Sequence, residues 1–531
     1  MTVPSIARLL EPQLARRAAA PAVTARSGTL SYAELDAAAG AAAGALWELG
    51  VRPGDRVAAC LPNDLPIVAA FLGAQRIGAI WAGIGEALTP AEQQALAALC
   101  QPKVVLAGPR CALDAAAVTA GGAVVGQRRW AELTAARPAA PAIRAAPHAP
   151  AAIAFSSGTT GAPKAIVHSQ HNLVLPASVL VAVRGWGPGL RKGDCFPFTI
   201  LNLQVLSVLV TAQAGGCAVV MVRRDPDGVA EWIQRGQVTT WNGAPAQLLD
   251  LAGHAGPPLD SVTEVWTGGG DCPGHIRDAF RGRHGIAVTA TYGLSEAPTV
   301  VAIDPVDGTH REGASGQVLP HLTVAAYDGD GRGLAPGSTG ELRLSTATAG
   351  PWAGAWRPPL GYWDGDVLRP ADQSPPADAP PAVGRGTPSD RAAPADLAGP
   401  GTVATGDIGR LDADGWLTVV DRKKLMIVRG GANVSPAEVE AVLTQHPGVA
   451  AAAVFGVPDE RLGERVAALV VSAAPGRDDA LTAAALTSFC AARLARYKVP
   501  EVWGRAAALP VNAMNKIIRT DLPALLRVSR L

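Results

Sequence analysis

Residues 156–164 combine hydroxyl side chains, glycines and one lysine in a short stretch. The stretch reads Ser156-Ser157-Gly158-Thr159-Thr160-Gly161-Ala162-Pro163-Lys164. Such residues offer backbone N–H groups, hydroxyl donors and one cation to phosphate oxygens. The glycine-to-lysine spacing differs from that of a Walker A loop, and residues 165–167 continue as a strand where that motif begins a helix. The stretch is a candidate phosphate-binding loop, although its glycines and hydroxyls alone would suit a polar surface loop equally well.

Lysine is rare in this chain. Seven of its 46 basic residues are lysine, and the others are arginine. Lysine carries a compact charge on a flexible stem and can therefore enter a crowded site. Lys164, Lys424 and Lys516 all fall within motifs of the sequence, which favours a functional role for them.

Further motifs follow the candidate loop along the chain. They are the glycine turn Trp266-Thr267-Gly268-Gly269-Gly270-Asp271, then Thr291-Tyr292-Gly293-Leu294-Ser295-Glu296, Thr405-Gly406-Asp407, Gly430-Gly431-Ala432-Asn433 and Pro510-Val511-Asn512-Ala513-Met514-Asn515-Lys516-Ile517. Each motif alone is typical of an ordinary turn or loop. Their order and their use of the rare lysines make coincidence difficult to sustain.

Together these motifs resemble those of the adenylate-forming superfamily, and the resemblance covers nearly the whole chain. This superfamily contains acyl- and aryl-CoA synthetases, peptide-synthetase adenylation domains and firefly-type luciferases. The acyl-CoA synthetases are the most similar group. The resemblance implies an AMP-forming acid–CoA ligase that uses ATP, Mg²⁺ and coenzyme A.

The resemblance also implies the roles of individual residues. It assigns ATP binding to Ser156, Ser157, Gly158, Thr159, Thr160, Gly161, Lys164, Gly269, Gly270, Asp271, Tyr292, Ser295, Asp407 and Arg422. Tyr292 would stack on adenine, and Asp407 and Arg422 would bind the ribose hydroxyls. Glu296 would hold Mg²⁺. Lys516 would bridge the substrate carboxylate and the α-phosphate, so Lys164, Glu296 and Lys516 are the expected catalytic residues.

Other residues are assigned to the acid, to coenzyme A and to domain movement. The acid pocket would be lined by Ile200, Gly243, Gly268 and Gly293. Gly430 and Gly431 would line the tunnel for the thiol arm. Lys424 would be the hinge about which a small domain turns between the two half-reactions.

The chain departs from the family pattern at several positions. Ile200 stands where relatives often have an aromatic or histidine gate; Gln170 replaces a histidine, Leu425 an acidic residue and Asn515 a glycine. None of these changes removes a charge that the chemistry needs.

The predicted pocket segment lacks an acidic residue. Relatives that activate amino acids keep an aspartate there for the substrate ammonium, because a buried cation without a partner is costly. Residues 196–222 contain no Asp or Glu. An α-amino acid is therefore not expected, and the largely apolar segment 200–209 favours a fatty, alicyclic or aromatic acid.

The alternation of short apolar runs with longer helical stretches predicts an α/β fold with a largely parallel sheet. The resemblance implies a large N-terminal adenylation domain with mixed and parallel sheets, residues 1–421, and a small mobile C-terminal α/β domain, residues 422–531. Residues 371–401 are rich in Pro, Ala, Asp and Ser, which predicts a flexible insertion. Ser435, Pro436 and Glu438 predict a capping box that opens a helix of the small domain.

Charge and cysteine content limit the class of protein. The chain has 46 basic and 45 acidic residues, which argues against a nucleic-acid partner. Its seven cysteines are odd in number and never spaced as CxxC, so a reducing cytoplasm is the expected location.

Residues 196–222 form an uncharged run, but polar residues and Gly215-Gly216 divide it into a buried helix and a strand rather than a membrane span. Ser529-Arg530-Leu531 resembles a peroxisomal address, a weak match whose meaning depends on the host cell.

Alternatives to an acid–CoA ligase remain open from the sequence. A stand-alone adenylating enzyme that loads a carrier protein could use the same residues, because coenzyme A and the carrier present the same thiol arm. A non-catalytic nucleotide-binding or acyl-adenylate-binding protein is a third reading, which Lys516 argues against because a binding protein would not need it.

Overall fold

A computed structural model describes residues 5–141, 143, 145–157, 163–268, 272, 274–364, 367–369, 401–422, 425–429, 432–459, 461–473, 481–511, 517–529 and 531. The chain divides into two compact units. The first comprises Met1–Thr323 and Leu344–Val403, and the second comprises Val324–Arg343 and Ala404–Leu531. The predicted boundary between residues 421 and 422 lies inside the second unit and stays a prediction. The predicted insertion lies outside the described residues apart from Gly401.

The helices are short or of medium length. The α-helices are α1 (Glu11–Arg17), α2 (Tyr32–Glu48), α3 (Leu65–Arg76), α4 (Pro90–Cys100), α5 (Gln127–Ala135), α6 (Gln170–Arg184), α7 (Leu201–Leu203), α8 (Val210–Ala214), α9 (Pro226–Gly236), α10 (Pro245–Gly253), α11 (Gly274–His284), α12 (Pro436–Leu443), α13 (Ala483–Ala491) and α14 (Leu522–Val528). Single 3₁₀ turns lie at Ile6–Arg8, Ala115–Ala117, Arg496–Lys498 and Arg519–Asp521, and a π-helix spans Gln204–Leu209.

The strands alternate with these helices along most of the chain. They are β1 (Pro21–Ala25), β2 (Gly28–Ser31), β3 (Arg56–Cys60), β4 (Ile80–Gly83), β5 (Val104–Ala107), β6 (Ala123–Gly126), β7 (Pro150–Ser157), β8 (Pro163–Ser169), β9 (Arg191–Asp194), β10 (Cys217–Val220), β11 (Thr240–Asn242), β12 (Glu264–Gly268), β13 (Val288–Leu294), β14 (Thr299–Ile303), β15 (Gln317–Val318), β16 (Leu322–Tyr327), β17 (Gly340–Thr346), β18 (Gly361–Asp364), β19 (Val367–Arg369), β20 (Val403–Leu411), β21 (Leu417–Arg422), β22 (Ile427–Arg429), β23 (Ala432–Val434), β24 (Val449–Asp459), β25 (Gly463–Ser472) and β26 (Val502–Ala506).

The first unit contains two mixed sheets. Among the described residues, one sheet has the order β19-β18-β8-β7-β4-β3-β5-β6 and the other the order β15-β14-β13-β12-β11-β9-β10-β1-β2. In the first of these sheets the pairs from β7 to the edge strand β6 are parallel, and the antiparallel pairs lie at the opposite edge. In the second sheet parallel pairs occupy the centre and antiparallel pairs lie at both edges. The predicted α/β fold with parallel and mixed sheets is therefore confirmed. Ligands of such sheets bind beyond the carboxyl ends of the strands, where β7, β12 and β13 lead into the glycine-containing motifs.

Side-chain caps fix where several helices begin. Ser31 accepts a hydrogen bond from the Glu34 N–H while the Glu34 carboxylate accepts from Ser31, which completes a capping box at α2. Thr89 and Glu92 form the same arrangement at α4. Each cap satisfies helix N–H groups that would otherwise have no partner, so these sequence positions set the start of helices that cover the sheets.

The uncharged run at residues 196–222 forms a buried helical segment and a strand, as the sequence predicts. The segment passes through α7, the π-helix and α8, ends at Gly215 with a φ of 75°, and continues into β10. The π-helix was not predicted, because one extra residue in a helical turn leaves no trace in an apolar pattern. No helix in the described part of the chain is long and apolar enough to span a membrane.

The second unit carries most of a four-stranded sheet, β16-β17-β20-β21, and a sheet formed by β23, β22, β25, β24 and β26. The predicted cap of α12 is half formed. Ser435 Oγ accepts from the Glu438 N–H at 3.2 Å. The Glu438 carboxylate instead accepts from Lys498 Nζ at 2.6 Å, so the charged partner replaces the return bond of a capping box.

The end of β4 lies directly against the segment that precedes α7. A Cβ atom added to Gly83 would lie 1.7 Å from the Thr199 carbonyl oxygen and 2.5 Å from its carbon. Backbone atoms cannot move aside as a flexible side chain can. The sequence therefore needs glycine here so that the two segments can approach each other.

Gly83→Ala should accordingly lower the free energy of unfolding by about 1–3 kcal/mol, the usual cost of overpacking. Denaturant unfolding monitored by circular dichroism measures this change. Gly282→Ala is the control, because a Cβ at this position of α11 meets nothing within 4 Å and alanine favours the helix by up to about 1 kcal/mol. Equal unfolding midpoints for Gly83→Ala and the unmodified protein would contradict the close approach.

Candidate functional site

The candidate phosphate-binding loop connects the two strands of an antiparallel hairpin. Ser156 at the end of β7 lies opposite Lys164 of β8, and Ser157 lies opposite Pro163. Residues 158–162, which include Gly158, Thr159, Thr160 and Gly161, lie outside the described residues. The hairpin thus holds the two ends of the loop together and places Ser156 beside Lys164.

The ring of Tyr362 lies near both Lys164 and Glu296. Strand β18 pairs with β8, with Tyr362 opposite Ile166, and Lys164 Nζ lies 5.3 Å from the centroid of the Tyr362 ring. Burial and, to a smaller extent, the negative charge of Glu296 raise the pKa of Tyr362 to about 12. The lysine and the carboxylate therefore lie near one aromatic ring, although 132 residues separate them in the sequence. Tyr362 is not among the site residues predicted from the sequence; the signal that could have found it is the pair Tyr362-Trp363 in a chain with 5% aromatic residues.

The segment that carries Tyr292, Ser295 and Glu296 turns sharply at the end of β13. Tyr292 lies opposite Ala302 of β14, and the register shifts between Tyr292 and Gly293. A Cβ at Gly293 would lie 1.7 Å from the Thr299 carbonyl oxygen. Glycine is therefore required for the tight turn that leads to Ser295 and Glu296.

His168 ties this turn to the strand that carries Lys164. Its Nε2 lies 2.8 Å from the Ser295 carbonyl oxygen, which can only accept, so Nε2 carries the proton. The ring is fully buried, and burial lowers the pKa of His168 to about 4, while the bond to Ser295 opposes the shift. His168 is therefore neutral near pH 7 and acts as a fixed hydrogen-bond donor. His168 is not among the site residues predicted from the sequence.

The predicted pocket residues lie on neighbouring strands and on the segment before α7. Strands β11 and β12 are adjacent, and the Gly243 N–H donates to the Trp266 carbonyl at 2.9 Å. A Cβ at Gly268 would lie 2.2 Å from Thr291 Oγ1, so no larger residue fits. Ile200 is half-buried and immediately precedes α7. The structure brings β11 and β12 together at their carboxyl ends, but the role of these residues in acid binding stays a prediction.

The predicted ribose-binding residues lie opposite each other in the second unit. Asp407 of β20 pairs with Arg422 of β21. Gly406 has a φ of 72°, a left-handed conformation that favours glycine. The Asp407 N–H donates to Thr405 Oγ1 at 3.0 Å, and this hydroxyl donates to the Leu342 carbonyl. The turn thereby holds a buried carboxylate beside the backbone of Arg422.

Several predicted site residues lie outside the described residues. These are Gly158, Thr159, Thr160, Gly161, Gly269, Gly270, Asp271, Lys424, Gly430, Gly431 and Lys516. Residues on either side of several of these gaps are described. Val511 and Ile517 are bridged on either side of residues 512–516, and Arg429 lies opposite Ala432 on either side of Gly430-Gly431.

Glu296 is the predicted magnesium ligand. Among the residues that the structure describes, no group of three or more His, Cys, Asp or Glu side chains is arranged so that it could hold a metal ion. Mg²⁺ often binds through one or two carboxylates together with substrate phosphates and water. A half-buried carboxylate near Lys164 fits this kind of binding better than an all-protein cage.

Comparison with known proteins identifies the family to which most of the chain belongs. The family model described as "AMP-binding enzyme" matches residues 10–350, and "AMP-binding enzyme C-terminal domain" matches residues 438–516. The feruloyl-CoA synthase of an Amycolatopsis species is 29% identical over 497 residues, 93% of each chain. A long-chain-fatty-acid–CoA ligase of Mycobacterium tuberculosis is 29% identical over 515 residues, 93% of this chain and 92% of its own. The crystal structure of ATP-bound MatB from Rhodopseudomonas palustris has a TM-score of 0.82 at 26% identity and covers 97% of this chain and 98% of its own.

Replacement of His168 should change the acid sensitivity of the fold. Below about pH 6.5 the unfolded chain binds a proton at this position that the folded protein does not bind until about pH 4. The stability due to neutral His168 is thus present above pH 6.5 and falls by roughly 3 kcal/mol as the pH approaches 4. His168→Gln, which keeps a donor but does not titrate, should lose less stability over this range, as measured by urea unfolding at several pH values. An unchanged pH profile would contradict the assigned protonation state.

His168→Leu separates the hydrogen bond from the titration. Neither this variant nor His168→Gln titrates, but the leucine leaves the Ser295 carbonyl without its donor, at a cost of about 1–3 kcal/mol. We expect His168→Leu to weaken ATP binding about tenfold relative to His168→Gln because the Ser295–Glu296 turn loses its anchor. Isothermal titration calorimetry with ATP and Mg²⁺ measures the difference. Equal affinities would show that the bond does not position the turn.

The ring of Tyr362 should matter more than its hydroxyl group. Tyr362→Phe keeps the aromatic face above which Lys164 lies, whereas Tyr362→Leu removes it. A cation–π contact contributes about 0.5–2 kcal/mol, so Tyr362→Leu should weaken ATP binding roughly 2- to 30-fold and Tyr362→Phe should stay close to the unmodified protein. Calorimetric titration with ATP again gives the measurement. A larger loss in Tyr362→Phe than in Tyr362→Leu would contradict this role of the ring.

Proposed function

Because the chain belongs to the AMP-binding enzyme family, we propose that it activates an apolar carboxylic acid with ATP and transfers the acyl group to coenzyme A. The acid is fatty, alicyclic or aromatic. One observation carries the proposal: Lys164 and Glu296 lie near the same tyrosine ring at the end of the candidate phosphate-binding hairpin. The similarity to named CoA ligases over more than 90% of the chain supports the choice of acceptor.

In the first half-reaction a carboxylate oxygen attacks the α-phosphorus of ATP. Two anions must meet for this attack, so positive charge at the site lowers the barrier. Lys164 binds phosphate oxygens, and Lys516 holds the substrate carboxylate against the α-phosphate. Glu296 would hold Mg²⁺, which would supply further positive charge for the phosphates. The bond between the α-phosphorus and the bridging oxygen breaks, and pyrophosphate leaves.

The second half-reaction transfers the acyl group to sulfur. The thiol of coenzyme A loses its proton, its sulfur attacks the carbonyl carbon of the acyl-AMP, and AMP leaves with the bonding electrons. Asp407 and Arg422 hold the ribose through both steps, and Asp407 can accept from both hydroxyls because a carboxylate has two oxygens. Gly430 and Gly431 line the path of the thiol arm, and Lys424 is the hinge. Residues 1–421 and 422–531 are the two domains that this hinge joins.

The choice of an apolar acid rests on the segment around Ile200. This segment has no acidic residue between positions 196 and 222, and its apolar side chains are largely buried. An α-amino acid would leave its ammonium without a partner there. The relatives named above act on acids as different as ferulate and long-chain fatty acids, so family membership alone does not select the acid.

Pyrophosphate release across a panel of apolar acids, with and without coenzyme A, tests the proposal. Acid-dependent release that coenzyme A accelerates, with acyl-CoA as product, is the expected result. Lys516→Ala should lower the rate of adenylation by about 100-fold or more, because it removes charge stabilisation in the transition state. Lys103→Ala is the matched control, since Lys103 Nζ donates to the Ala120 carbonyl away from the site and its loss should leave the rate unchanged.

The other outcomes separate the remaining hypotheses. Acid-dependent release that coenzyme A does not accelerate would point to a carrier protein as the acyl acceptor. No release with any acid would reject the ligase and leave a nucleotide-binding protein. Equal rates for Lys516→Ala and the unmodified chain would reject the role of Lys516.

A further inference from the structure

A lysine is fully buried on β9, the strand next to β11 in the sheet. Lys192 is 0% exposed, and its Nζ lies 3.5 Å from Asp194 Oδ2 and 5.1 Å from the centroid of the Trp266 ring. Its Nζ makes no hydrogen bond within the described part of the chain. Even if the contact with Asp194 is counted, an ammonium has three donors. Lys192 therefore has donor capacity that its described neighbours do not use.

Asp194 is shared by three side chains. Ser207 Oγ of the π-helix donates to Oδ2, and Asn242 Nδ2 donates to Oδ1 at 2.5 Å. Burial raises the pKa of Asp194, an effect that Lys192, Ser207 and Asn242 oppose, and burial lowers the pKa of Lys192. Three side-chain donors thus surround this carboxylate, which lies just before the predicted pocket segment.

Two amide oxygens in the same region also lack partners. Because the amide nitrogen of Asn242 faces Asp194, its Oδ1 points away, and this atom is buried without a hydrogen bond among the described residues. Gln204 of the π-helix donates from Nε2 to the Phe198 carbonyl at 2.8 Å, and its Oε1 is likewise without a described partner. Each such group costs about 1–3 kcal/mol when buried. Unsatisfied buried polar atoms call for an explanation, of which an absent ligand is one.

Asn242, Gln204 and the Trp266 ring beside Lys192 lie close in sequence to predicted pocket residues, whereas Lys192 itself lies on the neighbouring strand β9. Asn242 directly precedes Gly243, Trp266 is two residues before Gly268, and Gln204 is four residues after Ile200. Strands β9, β11 and β12 are neighbours in one sheet. Residues 192 and 240 are register partners, as are 240 and 264, and 242 and 266. Lys192, Asn242 and Trp266 therefore stand on one face of the sheet, the face on which Asp194 meets the π-helix.

The chemistry of the three groups selects the kind of ligand that fits. Lys192 donates, whereas Asn242 Oδ1 and Gln204 Oε1 accept. A hydroxyl group can accept from the first and donate to one of the others. A second carboxylate on the substrate would be repelled by Asp194 and could not accept a hydrogen bond from the two amide oxygens. An ammonium group on the substrate would be repelled by the charge of Lys192. A purely apolar acid would leave all three groups unsatisfied.

We propose that the preferred acid carries a hydroxyl group remote from the reacting carboxylate, bound by Lys192, Asn242 and Gln204. This inference rests on the proposed function and narrows its substrate class to hydroxylated members of the fatty, alicyclic or aromatic acids. The three residues are specificity determinants. Asp194 and Ser207 are positioning residues that hold Lys192 and Asn242 in place.

Matched pairs of acids test the proposal. Benzoate is compared with its meta- and para-hydroxy derivatives, cyclohexanecarboxylate with its hydroxylated derivatives, and octanoate with its ω-hydroxy derivative. The measurement is kcat/KM for pyrophosphate release. We expect one hydroxylated acid to exceed its parent by at least about tenfold, because a site built to bind a hydroxyl discriminates strongly against the analogue that lacks it.

Two variants locate the discrimination. Gln204→Leu should reduce the ratio of hydroxylated to parent acid toward one. The double variant Lys192→Met with Asp194→Asn should do the same, and it removes both buried charges together rather than leaving one alone. Gln75→Leu is the matched control: Gln75 of α3 is also buried, donates to a backbone carbonyl and has a partnerless Oε1 among the described residues, but the pocket elements do not include it. The control should keep the ratio.

Thermal unfolding of each variant verifies that it is folded. If Gln204→Leu does not fold, the double variant provides the test instead. Parent acids that react as well as every hydroxylated partner would overturn the inference and leave the proposed function standing. A preference that persists in both variants would overturn it as well. No pyrophosphate release with any acid would reject the proposed function and, with it, this inference.

Discussion

The antiparallel pairing of β7 with β8 is the constraint on which the candidate site of the first unit depends. It closes the candidate phosphate-binding loop by placing Ser156 opposite Lys164. The same strand β8 meets β18 on its other side, which brings Tyr362 to Lys164. Near its far end, β8 presents His168 to the Ser295 carbonyl. One strand thus positions the lysine, the aromatic ring and the turn that carries Glu296.

Close backbone approach is a second feature of the same region. Gly83, Gly268 and Gly293 each stand where a Cβ atom would come within 2.2 Å of another atom. Two of these contacts are with carbonyl oxygens, which cannot rotate away. The segment before α7 and the turn after β13 can therefore pack closely only because these positions are glycine. Close packing of this kind leaves little freedom for the polar groups at the strand ends, and such rigidity suits a site that acts by preorganised charge.

Lysine shows how the same residue type serves different ends in one chain. Lys164 lies over an aromatic ring beside a candidate phosphate-binding loop. Lys498 forms an ion pair with Glu438, whose carboxylate therefore does not accept the return hydrogen bond of a capping box. Lys192 is buried with Asp194. Hydrogen bonds from Ser207 and Asn242 to the Asp194 carboxylate offset part of the cost of burying its charge, whereas the Lys192 ammonium has no comparable hydrogen bonds among the described residues. The ammonium is thus left with fewer hydrogen bonds than the carboxylate among the described residues.

The order of the motifs, the rare lysines and the alternation of apolar runs with helical stretches determined the family and the α/β fold from the sequence alone. Ser31 with Glu34 and Thr89 with Glu92 mark helix starts in the same local way, because a cap depends on residues three positions apart.

The sequence could not identify Tyr362, His168 or Lys192 as members of a site. Their partners are Lys164 across a strand pair, Ser295 more than 100 residues away, and Trp266 on another strand. The π-helix could not be predicted from the sequence either, because one extra residue in a helical turn does not alter an apolar run. Only the tertiary structure decided these contacts, because they depend on which strands become neighbours and on which face each side chain is buried, and neither is encoded in local spacing.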